Sequence, residues 1–212
     1  MARSQGKACI PDQVTEELAE LIGMFIGDGS LPVKYSGGHS GQNYWIGFYN
    51  TNKSIVMDFQ TKLFQIFGIK GKVRERVRKG KRPLYEFGVY DKKLYLFLES
   101  LGIPRGKKAS RVHVPQKIMS SSCKIQKSFL RGLIKTDGGL SDHRLMFHCA
   151  SLDLLKDVKY IIKVNRQIKD YSTRGHKSYQ LTYNKRQTEL ILDWAGMAEW
   201  TNARIRNLER RP

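Results

Sequence analysis

Asp28 and Asp137 each close the same nine-residue pattern. Leu21-Ile-Gly-Met-Phe-Ile-Gly-Asp-Gly29 and Leu130-Arg-Gly-Leu-Ile-Lys-Thr-Asp-Gly138 share a glycine third, a small residue seventh and Asp-Gly last. A single Asp-Gly is an ordinary turn signal. Two of them ending two matched helical patterns ask for more. Gly23 and Gly27 lie four apart, as do Gly132 and Thr136. Each helix therefore presents a flat stripe, and small residues let two helix backbones approach closely. Parallel packing of these interface residues brings Asp28 and Asp137 together. Two carboxylates a few ångströms apart repel strongly unless cations lie between them. Carboxylate and backbone oxygens suit Mg²⁺, which uses few protein ligands. Such a site can activate a water and stabilise the leaving oxygen of a phosphodiester.

The elements that would carry these aspartates repeat along the chain. Phe48 to Phe59 aligns without gaps to Phe147 to Val158, and Val89 to Lys93 aligns with Thr182 to Arg186. Self-similarity in the same order marks a duplication. The halves span 12–102 and 124–208, joined by a linker at 103–123 that holds Pro104, Gly106, Pro115 and three consecutive serines. In the first half, Leu18, Leu21, Ile22 and Phe25 have helical spacing, with Thr15 or Asp12 placed to cap the start. A strand follows at Tyr44 to Tyr49, after a Gly37-Gly38 turn. Then come a helix at Lys53 to Phe67, a hairpin of 71–77 with 84–90, and a helix at Lys93 to Leu101. The second half reads helix 124–136, strand 144–149, helix 151–162, hairpin 166–183 and helix 186–197. A last helix is expected at Glu199 to Arg210. The unit is αββαββα.

Composition narrows the partner. Thirty-eight Lys and Arg against 19 acids give a net charge of +19 over 212 residues. So basic a chain self-repels unless it meets something anionic. Nucleic acid fits better than a lipid surface, because no basic amphipathic helix or lipid signal is present. No stretch approaches a membrane span, and Met1 to Cys9 lack the apolar run of a secretory signal. The expectation is an intracellular, cytoplasmic protein with no membrane partner. Cys9, Cys123 and Cys149 form no CxxC pair, which argues against a zinc ribbon or disulfide framework. His39, His113, His143, His148 and His176 show no metal-ligand spacing.

Both nine-residue segments resemble the motif that names the LAGLIDADG family of homing endonucleases. The duplicated unit is similar to the single-chain, two-motif form carried by mobile introns, including archaeal ones. The resemblance implies an α+β fold: pseudo-twofold duplicated αββαββα units, with two antiparallel saddle-shaped sheets around a central pair of motif helices. It implies a site-specific endonuclease that binds a long duplex through its sheets in the major groove. Such an enzyme hydrolyses both strands across the minor groove with divalent metal, leaving short 3′ overhangs. By position, Asp28 and Asp137 become the catalytic, metal-binding acids, and Gly27 and Thr136 add backbone carbonyls. Mg²⁺ is the implied cofactor, with Mn²⁺ as substitute and Ca²⁺ binding without cleavage. The sixth motif position departs from the family name, being Ile26 and Lys135, but it is not the essential acid. Lys92 and Lys185 fall where members tend to carry a basic residue at the end of the last strand, placed to balance charge on the phosphate. Asn50 can position a water, whereas its counterpart Cys149, beside Ala150, cannot do so equally. The alternative is an RNA maturase, with intron RNA as partner, or a non-catalytic nucleic-acid binder of the same fold.

The sheet expectation makes the basic residues intelligible. Lys70, Lys72, Arg74, Arg76, Arg78, Lys79, Lys81 and Arg82 face one acid, Glu75. Arg74, Arg76 and Arg78 alternate and so share one strand face. The major groove admits a β-ribbon, and Arg pairs there with guanine. The second half offers Arg166, Lys169, Tyr171, Arg174, His176, Lys177 and Tyr179. The first loop adds Lys34, Tyr35, His39, Gln42 and Asn43. In the linker, Arg105, Lys107, Lys108 and Arg111 suit phosphate contacts. Asp28 to Asn50 spans 22 positions but Asp137 to Cys149 only 12. Unlike halves imply a non-palindromic target bound by a monomer.

Overall fold

In the computed structural model the described residues are 8–33 and 44–200, without the Arg78 side chain. The loop residues Lys34, Tyr35, His39, Gln42 and Asn43, and nearly all of the expected last helix, lie outside them. The two halves use the same element order. The first runs α1 (Glu16–Asp28), β1 (Gly29–Ser30), β2 (Trp45–Asn50), α2 (Lys53–Phe67), β3 (Lys72–Arg78), β4 (Lys81–Tyr90) and α3 (Lys92–Ser100). A short α4 (Gln116–Met119) lies in the linker, where only a connector was expected. The second half runs α5 (Cys123–Asp137), β5 (Gly138–Ser141), β6 (Arg144–Cys149), α6 (Leu152–Ile162), β7 (Ile168–Asp170), β8 (Tyr179–Thr182) and α7 (Lys185–Trp194). Each half forms a four-stranded antiparallel sheet, ordered β1-β2-β4-β3 and β5-β6-β8-β7. The fold is α+β, as the family resemblance implied.

Local chemistry sets the helix starts. Thr15 Oγ1 accepts from Leu18 N, so Thr15, not Asp12, caps α1. Asn52 and Ser151 cap α2 and α6, and Asp91 and Asn184 cap α3 and α7. These pairs occupy matching positions of the two halves. A short side chain there satisfies N–H groups the helix cannot reach itself. The linker is not a loose tether. Ile103, Val112, Val114 and Ile118 are buried in the common core.

The core is built around α1 and α5. Gly23 and Gly132 face backbone directly: a Cβ at Gly23 would sit 2.1 Å from the Phe129 carbonyl oxygen, and one at Gly132 only 1.9 Å from that of Glu20. Both helices touch main chain to main chain, which only glycine permits. Leu18, Leu21, Ile22 and Phe25 of α1 are buried, as are Phe129, Leu130, Leu133 and Ile134 of α5. Each such side chain removed from water contributes roughly 1.5–3 kcal/mol. Lys135, the outlier at the sixth motif position, has a structural purpose. It donates to Glu20 at 2.6 Å and to Asp58 at 2.8 Å, while Arg131 reaches Glu20 at 2.9 Å. Burial alone would raise the Glu20 carboxyl, but Lys135 and the other cations outweigh it and hold it below its ordinary value. Among the described residues, no helix is long and apolar enough to cross a membrane.

Candidate functional site

The parallel termini of α1 and α5 create the site. At Gly27 a Cβ would lie 2.2 Å from Thr136 Oγ1 and 3.1 Å from Asp137 Oδ1. Asp137 therefore reaches across to the end of α1, where the next residue is Asp28. The four interface residues inferred from the sequence, Gly23, Gly27, Gly132 and Thr136, all lie in this seam. Thr136 turns its hydroxyl back to the Gly132 and Leu133 carbonyls, at 3.3 and 3.1 Å. That leaves its side chain compact where Gly27 approaches.

The ammonium of Lys108 joins the two acids. Its Nζ donates to the carbonyls of Phe25 and Gly27, each at 2.8 Å, and to that of Ile26. These are carbonyl oxygens of the last turn of α1, that of Phe25 also accepting from the Gly29 N–H, and a cation there complements the helix dipole. α1 has no basic residue of its own in its last turn. Burial lowers Lys108 to about 8, against the pull of Asp137 and Asp28. Burial raises Asp28, opposed by the Asn50 hydrogen bond and by Lys108. Burial and then the charge of Asp28 push Asp137 up to about 6. Two acids with raised values around a depressed lysine are an electrostatic arrangement that functional sites favour.

The halves differ beside each acid. Asn50 Nδ2 donates to Asp28 Oδ2 at 2.5 Å. Cys149 turns its thiol to the Ser151 carbonyl at 3.2 Å. Burial pushes that thiol up to about 11, leaving it neutral. Among the described residues, Asp28 has an amide partner and Asp137 has none.

The donor set suits a hard divalent cation. Two carboxylates and the Gly27 carbonyl supply oxygen, and the charges of Asp137 and Asp28 favour a cation beside them. Among the described residues no three or more His, Cys, Asp or Glu gather as a metal cluster, so this site has two carboxylates and backbone oxygen to offer.

Several expectations change. Lys92 and Lys185 do not end strands; they open α3 and α7. Lys92 Nζ lies 5.5 Å from the Tyr44 ring centroid, and Lys185 is exposed. The lysine set against the acids is Lys108, which the charge pattern had assigned to phosphate. Its spacing from either motif carries no signal; only the folded linker brings it there. Arg105 pairs with Glu99 instead of standing free for phosphate. Arg111 donates to the carbonyls of Lys107 and Arg105, tightening the linker turn, while Lys107 remains exposed.

On the first sheet, Lys72 and Arg74 stand exposed on one face as expected, and Arg76 shares that face but pairs with Glu86 at 2.7 Å. The register slips between Arg76 and Arg78, where two residues of β4, Arg82 and Pro83, stand against Val77 alone. One extra residue in the partner strand shifts the pairing, which periodicity within β3 cannot foresee. Lys70 lies over Phe64, while Lys79, Lys81 and Arg82 surround the exposed turn. In the second half Lys169, Tyr171, Arg174, His176 and Lys177 are exposed, and Arg166 is partly buried. Tyr179 is a correction: it pairs with Cys149 and packs on the core face. His148 and Gln180, opposite each other on the other face, were missed.

Comparison with known proteins places this geometry. Residues 15–102 match the family model of the LAGLIDADG-like domain. Mesophilic variants of the homing endonuclease I-DmoI superpose with a TM-score of 0.64 at 23% identity, covering 86% of this chain and 96% of theirs. I-DmoI in complex with DNA and Ca gives 0.63 at 23% identity, over 86% and 90%. Full-length DUF199/WhiA from Thermatoga maritima gives 0.56 at 14% identity, over 96% and 63%. Among curated relatives, the replication factor C small subunit of Methanocaldococcus jannaschii is 33% identical over 69% of this chain and 7% of its own length. The tRNA-splicing ligase RtcB of Pyrococcus abyssi is 30% identical over 60% of this chain and 14% of its own. The chain spans less than a fifth of the length of these relatives.

Proposed function

From a chain with a LAGLIDADG-like domain at residues 15–102 and the fold of I-DmoI, we propose a site-specific DNA endonuclease of the homing type. It binds a long, non-palindromic duplex as a monomer, its sheets in the major groove. It hydrolyses both strands across the minor groove and leaves short 3′ overhangs. The observation that carries this reading is Asp137 Oδ1 reaching the flank of Gly27, which puts both motif acids and Lys108 at one seam. Stability alone gives no reason to gather two carboxylates there.

Asp28, Asp137 and the Gly27 and Thr136 carbonyls would hold divalent metal, with Mg²⁺ first and Mn²⁺ as substitute. When bound, the metal supplies Lewis acidity to the phosphate and an activated water. The protein's own groups do the rest. Asn50 orients Asp28 through its amide and can hold a water beside it. Lys108 offsets the negative charge that collects as the phosphodiester gains its fifth oxygen. The sheets hold the duplex so that both scissile bonds meet the seam. The shared segment also occurs within proteins named for unrelated work, a replication factor and a tRNA-splicing ligase. A mobile element inserted into host genes would distribute itself in that way, which supports the homing reading.

The test is cleavage of a plasmid carrying a target selected from random duplexes, with Mg²⁺. Asp28→Asn and Asp137→Asn should each abolish double-strand breaks while retaining binding in Ca²⁺. Variants that cut like wild type would remove the enzymatic reading and leave a nucleic-acid binder.

A further inference from the structure

The two sheets present chemically different surfaces on the faces turned away from their helices. In the first half, Ile46, Phe48, Phe87 and Val89 are buried, and Phe48 stacks on Phe59 of α2 at 4.1 Å. The opposite parity puts Trp45, Gly47, Tyr49, Glu86, Gly88 and Tyr90 on the other face, where register pairs Trp45 with Tyr90 and Gly47 with Gly88. Both glycines are roofed by rings. A Cβ at Gly88 would lie 2.0 Å from the Trp45 indole, and one at Gly47 would lie 2.6 Å from the Tyr49 hydroxyl. Trp45 also meets Tyr90, their centroids 4.7 Å apart. The result is an aromatic platform on the two central strands, partly open to solvent. Lys72 and Arg74 flank it from β3, register-paired with Gly88 and Glu86. Asn50, next to Tyr49, touches Asp28.

The matching face of the second sheet is polar. There Met146 pairs with Thr182 and His148 with Gln180. His148 Nε2 and Ser178 Oγ lie 2.6 Å apart, and Gln180 donates to Thr182 Oγ1 at 2.9 Å. No glycine pair opens room for a flat ring.

We propose that the first sheet selects thymine-rich sequence next to the cleavage site by packing Trp45, Tyr49 and Tyr90 against thymine C5-methyl groups, with Lys72 and Arg74 on the adjoining phosphates. This deepens the endonuclease reading and rests on it. Only thymine offers an apolar group in the major groove, so ring faces there favour T over the other bases. An aromatic surface bordered along its β3 edge by two cationic side chains suits a groove wall beside phosphates better than it suits bulk water. The second sheet, lined with donors and acceptors, reads its half-site through hydrogen bonds instead.

Uracil replaces thymine without its methyl and changes nothing else in the pairing. A target selected from random duplexes should carry thymines in the half-site contacted by the first sheet. Replacing each in turn with uracil should weaken Ca²⁺-supported binding of the full chain about three- to fivefold per buried methyl. The same exchange in the other half-site should leave affinity within about twofold. Trp45→Leu and Tyr90→Ala should bind the thymine and uracil duplexes alike. A selected half-site without thymine, equal binding of both duplexes by wild type, or an undiminished uracil penalty in both variants overturns the proposal. A protein that binds no duplex at all would instead remove the endonuclease reading beneath it.

Discussion

Asn50 donates to Asp28 at 2.5 Å, whereas Cys149, its positional twin, directs its thiol to the Ser151 carbonyl and leaves Asp137 without an amide partner of this kind. In the proposed endonuclease the two acids would therefore be unequally prepared. One strand should be cut faster than the other, and nicked plasmid should accumulate before linear product. Asn50→Ala should slow one strand by about tenfold to a hundredfold, in the range of a positioning or proton-handling group. Cys149→Asn should shorten the nicked phase. Strand-specific end labels on a short duplex measure this, and equal slowing of both strands by Asn50→Ala would rule it out.

Lys108 and the pair Lys92 and Lys185 make opposed claims on the role of catalytic cation. Lys108 touches the carbonyls at the end of α1 beside both acids; the other two open exposed helix turns. Lys108→Met should lower kcat about a hundredfold or more with KM for the duplex nearly unchanged, as for loss of a charge felt mainly in the transition state. Lys108→Arg should recover part of it. Lys92→Met and Lys185→Met should stay within severalfold of wild type. A full-rate Lys108→Met enzyme would return the assignment to the other two lysines.

The same lysine shows where sequence reading stops. The motif helices, their glycine faces and the twin acids follow from spacing within one helix, and the structure keeps all of them. Strand boundaries at 144–149 and the α2 limits also follow from local periodicity. What periodicity cannot supply is the path of an irregular segment. Lys108 meets α1 only because Gly106 N bonds to the Leu31 carbonyl and Ile103 and Val112 are buried. The register slip between Arg76 and Arg78 is similarly invisible, since one extra residue in β4 changes the pairing without changing composition. Trp45, Gly47, Gly88 and Tyr90 were legible in principle, but their meaning depends on register between distant strands.

Without metal, the acid pair should make stability depend on pH in a definite direction. Asp137 is raised from 3.8 to about 6, so the folded state binds its proton more tightly than the unfolded chain. Stability from this group is full below pH 3.8 and is lost as pH rises through 6. Lys108, lowered from 10.5 to about 8, binds its proton less tightly when folded, so its penalty is present below pH 8 and fades toward 10.5. Asp137→Asn should therefore gain about 1–3 kcal/mol at pH 7.5 in EDTA and flatten the slope between pH 4 and 6. Mg²⁺ should stabilise wild type more than this variant. Urea titrations in EDTA across that range would refute the point if wild type and variant ran parallel.

The helix seam predicts a coupling between packing and chemistry. A Cβ at Gly132 would fall 1.9 Å from the Glu20 carbonyl oxygen, and backbone cannot step aside as a flexible side chain can. Gly132→Ala must push α1 and α5 apart, costing about 3 kcal/mol or more for overpacking. Separation also moves Asp137 from the end of α1, so activity should fall further than the folded fraction does. Gly139→Ala is the control: its Cβ would meet nothing nearer than 3.7 Å, and stability should change by no more than about 0.5 kcal/mol. Denaturant midpoints, with cleavage assayed under conditions where each variant is fully folded, separate the two effects. Were Gly132→Ala to keep wild-type rate once folded, the acids would not depend on that close approach, and the seam would be a packing device alone.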